Sequence, residues 1–428
     1  MGVNMNYLEA NREALLSSYE ALSKKYEAVV AEGLSLDLSR GKPSAEQLDL
    51  SMPMLSAKTV SDCKSADGFD CRNYGLGTGL AEMKAFWSEL TGIPAANILV
   101  GGNSSLNLMY DAVAKAMLYG VANSPRPWCR EGNIKFLCPA PGYDRHFAIC
   151  ESLGIEMITV PMLSDGPDMD AVERIASADA SVKGIWCVPK YSNPTGITFS
   201  DEVVRRFATM KTAAPDFRIF WDNAYMVHDI EDEGDHLLDL FAEAKKAGNE
   251  DRVFFFTSSS KITFPGAGVA IMAMSDANMK LFAPIFGVQT IGHDKLNQLR
   301  HLQFLPDKAA VTELMKKHAA FLGARFDVVL STLKRDLEGT GIASWTQPRG
   351  GYFVSLDVLP GTAKRVYALC AAAGVTLTKV GATFPYGVDV EDKNLRLAPS
   401  YPTLSDLTKA MDVLTLSVRL AALEKLLA

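Results

Sequence analysis

Seven short apolar runs separated by helical stretches constrain this chain more than any other feature. They fall at residues 98–100, 134–138, 156–160, 184–188, 218–221, 253–256 and 269–274. Within them apolar side chains fill successive positions, as in Val253-Phe254-Phe255-Phe256. A strand with one wet face alternates polar and apolar residues. A strand without alternation is covered on both faces, as in parallel sheets whose crossover helices lie above and below. Helical patterning over 104–119, 144–153, 169–176 and 201–213 supplies such crossovers. The expectation is an α/β body with a mostly parallel seven-stranded sheet between helices.

Beyond residue 299 the pattern changes. A helix over 308–337, strands near 351–357 and 394–398, and a closing helix over 405–427 with leucines on one face read as a smaller α+β domain. Leu8, Leu15, Tyr19, Leu22, Tyr26 and Val29 recur at helical spacing near the N-terminus, and that helix is expected to pack with the smaller domain. The expected divisions are an N-terminal segment 1–55, a large domain 56–298 and a small domain 299–428.

A chain of 428 residues with 48% hydrophobic content can bury one large core and a second, smaller one. The net charge of −7, with signs interspersed and no basic block, argues against a nucleic-acid partner. No apolar run approaches the ~18 residues of a membrane helix, and charges run through the first residues, so neither a membrane span nor a signal peptide is expected. The seven cysteines include no Cys-x-x-Cys pair, and Cys138 and Cys187 lie inside apolar runs. A reducing cytoplasm is the simple inference. The six histidines lack metal-ligand spacing, so no metal is expected. His228 and His236, near the acidic run Glu231-Asp232-Glu233, read as solvated.

Chemistry concentrates where apolar runs end, which is where open α/β sheets bind ligands. Lys261 follows Phe255-Phe256-Thr257-Ser258-Ser259-Ser260, and an unpaired ammonium at a strand core is costly unless it is used. Gly101-Gly102-Asn103-Ser104-Ser105 follows a strand and opens a helix, a plausible phosphate cradle in which Ser could equally be a routine cap. Tyr143, in Pro141-Gly142-Tyr143, can lie flat on a planar ring. Asp222 closes Phe220-Trp221, where it can keep a pyridinium nitrogen protonated. Asn193, in Asn193-Pro194-Thr195-Gly196, and Tyr225 can reach the ring's 3-oxygen, while Ser258 and Ser260 can donate to the phosphate. Together these are the groups needed to hold pyridoxal 5'-phosphate. Arg396, inside Asn394-Leu395-Arg396-Leu397, needs an anion, either a structural carboxylate or a substrate's. Gly75-Leu76-Gly77-Thr78-Gly79 lacks a preceding strand and the spacing of a dinucleotide loop.

With these residues in view, the chain resembles a fold-type I, class I/II aminotransferase dependent on pyridoxal phosphate, over essentially its whole length. Asp37-Leu38-Ser39-Arg40-Gly41-Lys42-Pro43, Gly102-Asn103-Ser104-Ser105-Leu106 and Ser260-Lys261-Ile262-Thr263 are similar to a bacterial aspartate aminotransferase subgroup termed type Ic. The resemblance implies that Lys261 bonds the cofactor's aldehyde and shuttles the proton, and that Asp222 pairs with the ring nitrogen. It implies Asn193 and Tyr225 on the 3-oxygen, Tyr143 stacked on the ring, and Ser104, Ser105, Leu106, Ser258 and Ser260 around the phosphate. Arg396 would clamp the substrate α-carboxylate, with Gly41 and Arg40 beside it. Tyr74 would reach the neighbouring subunit's phosphate, implying a homodimer with shared sites. Two departures stand out: the family's phosphate-binding arginine is replaced by Val269, and the arginine for a second carboxylate has no obvious counterpart, leaving Arg40, Arg349 and Lys190 as candidates.

The implied activity is ping-pong transamination between an amino acid, with aspartate or glutamate expected, and a 2-oxo acid. The alternatives are β-elimination or decarboxylation on the same scaffold, or a non-enzymatic sensor. The segment before Arg40 offers no basic recognition helix for the sensor, and no phosphate loop supports a nucleotide enzyme.

Overall fold

A computed structural model describes residues 5–56 and 62–428; residues 57–61, beside the expected division at 56, lie outside the described residues. The strands in chain order are β1 Leu36–Asp37, β2 Ile98–Val100, β3 Lys135–Ala140, β4 Glu156–Leu163, β5 Gly166–Pro167, β6 Val182–Cys187 and β7 Arg218–Asp222. They continue as β8 Val253–Ser258, β9 Ala270–Ala273, β10 Ala343–Trp345, β11 Val354–Val358, β12 Val375–Thr376 and β13 Asn394–Leu397.

The main sheet has the order β2-β9-β8-β7-β6-β3-β4-β5. All seven expected strands are in it. The eighth, β5, is a two-residue edge strand folded back antiparallel on β4. The run β8-β7-β6-β3-β4 is parallel, and β9 is antiparallel to both β8 and β2. The unbroken apolar runs divide between two cores by parity. Leu137, Ile185, Ile219, Trp221, Val253 and Phe255 face one helical layer. Phe136, Trp186, Phe220, Phe254 and Phe256 face the other. Strands β2, β3, β6, β7, β8 and β9 therefore bury both faces, with alternate residues going to opposite sides, whereas β4, near the sheet edge, leaves Glu156, Thr159, Pro161 and Leu163 exposed.

A further core contains Tyr7, Leu15 and Leu38 from the start of the chain together with residues from Phe326 to Leu423. Here β10, β11 and β13 form an antiparallel sheet, and β1 pairs in parallel with β12. The closing helix Leu404–Leu427 differs from expectation. Its middle is buried on all sides, Thr415 and Ser417 included, because helices from both ends of the chain surround it. The Ser417 hydroxyl donates to the Val413 carbonyl one turn back, at 2.8 Å, so its burial leaves no donor unpaired.

Helix Lys308–Leu337 links the cores. Asp307 caps it by accepting from the Ala310 N–H at 2.8 Å. Val311, Leu314 and Met315 enter the first core, Leu322 joins a small aromatic cluster at the junction, and Phe326, Val329, Leu333 and Leu337 enter the last.

Candidate active site

Strands β3, β6, β7 and β8 end on one side of the sheet, and a cavity of about 250 Å³ opens beyond them. Each strand delivers a residue there for a local reason. Asp222 is the last residue of β7. Beyond β8, Ser259–Lys261 makes a single tight turn that points away from the strand, with the Ser258 hydroxyl accepting from the Ser260 N–H at 3.4 Å. Asn193 follows β6 on a turn with a cis Asn193–Pro194 peptide and Gly196 at φ +68°, where a side chain would overlap Pro348. Tyr143 precedes helix Asp144–Ser152.

Twelve of the fourteen expected site residues line this cavity. They are Lys261, Asp222, Tyr225, Asn193, Tyr143, Ser104, Ser105, Leu106, Ser258, Ser260, Gly41 and Arg396. Arg40 and Tyr74 do not line it. Arg40 is held at 2.7 Å by Asp37, and Tyr74 is 78% exposed. The other two candidates for a second carboxylate are also engaged elsewhere. Arg349 pairs with Glu231 at 2.6 Å, and Lys190 with Asp229 at 2.7 Å. The cavity contains a cation that sequence reasoning passed over, Arg145, along with Asp144, Val188 and Phe353.

Lys261 Nζ stands 4.8 Å from the centroid of the Tyr225 ring. Tyr225 is buried against Tyr352, and burial raises its phenol pKa above the ordinary value. Burial pushes the Tyr143 phenol up to about 12, so both rings present neutral hydroxyls. Asp222 is buried. Its Oδ2 meets His146 Nε2 at 3.2 Å, and His146 stacks on Trp186 at 4.4 Å. His146 was missed in the sequence. Its signal was its place on the buried face of the helix that begins just after Tyr143. Arg396 Nη1 donates to Asp144 Oδ1 at 3.1 Å and to Asn193 Oδ1 at 3.4 Å, and its guanidinium lies 5.1 Å from the Phe353 ring. A structural carboxylate therefore does approach this arginine.

Other expectations change. Gly101 does not serve a ligand, since a Cβ there would meet Leu108 at 2.6 Å; the glycine lets the next helix pack on its strand. Ser104 is the N-cap of that helix but makes no side-chain cap bond, so the routine-cap reading fails for its hydroxyl. Val269, at the position of the family's arginine, is buried, and its N–H donates to Ser259 Oγ at 2.9 Å. Ser260 Oγ donates to the Asn103 carbonyl at 2.9 Å, joining the lysine turn to the helix entrance. His228 is 1% exposed, not solvated, whereas His236 is exposed as expected.

The residues present fit pyridoxal phosphate. Asp222 Oδ1 is buried without a hydrogen-bond partner, which suits a ring N–H donor. Unbonded first-turn N–H groups at Ser105 and Leu106, with the hydroxyls of Ser104 and Ser258, suit a phosphate. A lysine and a buried carboxylate sharing a cavity at the carboxyl ends of a parallel sheet define a fold-type I pyridoxal-phosphate enzyme.

A sequence model of the family described as aspartate amino-transferase matches residues 10–428. The chain is 46% identical over 422 residues to the aspartate aminotransferase of Corynebacterium glutamicum, covering 99% of this chain and 97% of that one. The crystal structure of an aspartate transaminase from the same species aligns with a TM-score of 0.96, 45% identity and 99% coverage of both chains. The α-aminoadipate aminotransferase of Thermus thermophilus, solved with N-(5'-phosphopyridoxyl)-L-leucine, aligns over 93% of this chain and 95% of that one. Its TM-score of 0.73 at 20% identity shows the fold alone. The chain belongs to the aspartate aminotransferase family. It is a pyridoxal phosphate-dependent enzyme that moves an amino group between an amino acid and a 2-oxo acid.

Proposed function

We propose that the enzyme exchanges the amino group between aspartate and 2-oxoglutarate, as a homodimer whose sites are completed across the interface. The observation that carries this reading is the shared cavity of Lys261, Asp222 and Arg396. Three cationic side chains, Lys261, Arg396 and Arg145, face two carboxylates there, a balance that favours an anionic substrate. Arg396 takes the α-carboxylate, and Arg145 at the rim takes the distal one. The relatives named as aspartate aminotransferases support this choice.

When bound, pyridoxal phosphate supplies an aldehyde that bonds amines and a ring that accepts the electron pair left by a departing α-proton. Lys261 Nζ would take that proton from the substrate as general base and, holding it, serve as general acid in the next step. With the cofactor bound, Asp222, oriented by His146, would keep a proton on the ring nitrogen. Asn193 and Tyr225 would face the 3-oxygen, Tyr143 would cover the ring, and Ser104, Ser105, Leu106, Ser258 and Ser260 would hold the phosphate. Gly41 has no side chain because one would overlap Phe353, which also packs under Arg396. Tyr74, so exposed in one chain, reaches the partner's site. Among the described residues no helix is long and apolar enough to cross a membrane, and Cys71, Cys129, Cys138, Cys150, Cys187 and Cys370 form no disulfide, in keeping with the reducing cytoplasm of this reading. The separate cores support a division into large and small domains.

The test is direct. Purified protein loaded with pyridoxal phosphate, given aspartate and 2-oxoglutarate, should yield oxaloacetate and glutamate, and Lys261→Ala should abolish this. Release of CO2 or pyruvate in place of oxaloacetate, or full turnover by Lys261→Ala, would defeat the reading.

A further inference from the structure

Three buried histidines close around the turn that carries Lys261, each from a different part of the chain. His228 Nε2 lies 3.3 Å from the Lys261 carbonyl oxygen. His318 Nε2, from helix Lys308–Leu337, lies 3.2 Å from the Ile262 carbonyl. His301 Nε2, from helix Lys295–Phe304, lies 3.0 Å from Ser259 Oγ and 2.9 Å from Thr263 Oγ1. Every position of the turn except Ser260 is thus held by an imidazole.

The partners fix the tautomers. A carbonyl only accepts, so His228 and His318 each carry the proton on Nε2. His318 Nδ1 then accepts from Gln47 Nε2, 3.1 Å away, which also donates to the Tyr352 hydroxyl at 3.2 Å. His301 donates through Nδ1 to the Asn297 carbonyl at 2.8 Å, leaving Nε2 to accept from the two hydroxyls. Each ring is used as a neutral imidazole, and all three are buried.

We propose that His228, His301 and His318 are positioning residues that fix the backbone of residues 259–263 and thereby aim Lys261 Nζ into the cavity. The reason to need them is geometric. A single-turn segment has little hydrogen bonding of its own, and a misplacement of ~1 Å at a reacting group can cost about 100-fold. The inference rests on Lys261 as the amine that bonds the cofactor.

The decisive comparison is His318→Leu, which removes both bonds, against His318→Gln, whose amide can accept from Gln47 and donate to Ile262. Each holoenzyme is titrated for the pH midpoint of its visible lysine–cofactor band, and kcat and KM for aspartate are measured. In His318→Leu we expect the midpoint to move by about half a pH unit or more and kcat to fall roughly tenfold with KM within about twofold, and His318→Gln should restore both. A leucine variant that loses only thermal stability, with midpoint and kcat unchanged, overturns the proposal; so does a glutamine variant no better than leucine. Should His318→Leu not fold, His228→Leu against His228→Gln, whose amide nitrogen can replace Nε2 at the Lys261 carbonyl, decides by the same outcomes. Failure of the underlying reading is seen separately, as wild-type protein in which borohydride fixes no cofactor on Lys261.

Discussion

Arg396 is occupied by the chain's own carboxylate before any substrate arrives. Asp144 lies 3.1 Å from Nη1, and its side chain is one-third exposed. Pairs of this kind are worth ~0.2–1 kcal/mol, so Asp144→Asn should lower KM for aspartate by up to about fivefold with little change in kcat. A raised KM would show that Asp144 orients the arginine instead of competing for it. Arg145 calls for a different measurement. If it grips the distal carboxylate, a charge-assisted contact worth ~1.5–3 kcal/mol is lost in Arg145→Ala, and kcat/KM for aspartate falls roughly 10- to 100-fold. Alanine, which has no distal carboxylate, should be used as before; equal losses for both donors would remove Arg145 from this role. The residues legible in the sequence were those at strand ends, where a polar group interrupts an apolar run. Lys261, Asp222 and Asn193 stood out in that way. Arg145 and His146 did not, because a helix begins at Asp144 and charged or aromatic residues are ordinary on helices.

At the scale of the element, two glycines with nearly the same φ separate strain from space. Gly374, before β12, has φ +78°, and a Cβ there would overlap the Leu34 carbonyl oxygen, which lies where the chain enters β1. Gly248, following helix Leu240–Lys246, has φ +69° with open space around it. Ala at 248 should cost about 1 kcal/mol from backbone strain alone. Ala at 374 should cost about 2–3 kcal/mol or more, because the β1–β12 pair must also shift. Urea unfolding of the two variants checks this, and equal losses would mean that the overlap relaxes freely. The strands were legible because each is an apolar run bounded by turn residues. The closing helix was misjudged in its burial, since its Thr415, Ser417 and alanines look like an exposed face until other helices are seen to cover them.

In the whole molecule, His228, His301 and His318 also make stability depend on pH. Burial holds their pKa values at about 3, 4 and 4, below the ordinary 6.5. Between those limits the unfolded chain binds more protons than the folded one. The stabilisation is fully present above about pH 6.5 and is lost on acidification, at up to ~1.4 kcal/mol per pH unit for each histidine. Urea midpoints should fall between pH 7 and 5, less steeply in His318→Gln; an unchanged slope would assign the effect to other groups. The proposed homodimer can be tested by complementation. Lys261→Ala and Tyr74→Ala chains, each expected to be inactive alone, should regain about a quarter of wild-type activity when refolded together, since a mixed dimer would have one intact site. No recovery would place Tyr74 in its own chain's site. Long-range order was the part least legible in the sequence: nothing in the pattern around His318 says that its ring will lie beside the Ile262 carbonyl. Helix Lys308–Leu337 brings it there, a rod of roughly 45 Å whose two ends are embedded in different cores. Such a rod would act as an axle with the lysine turn geared to it through His318, so a swing of the C-terminal core about it would be passed to the backbone that carries Lys261.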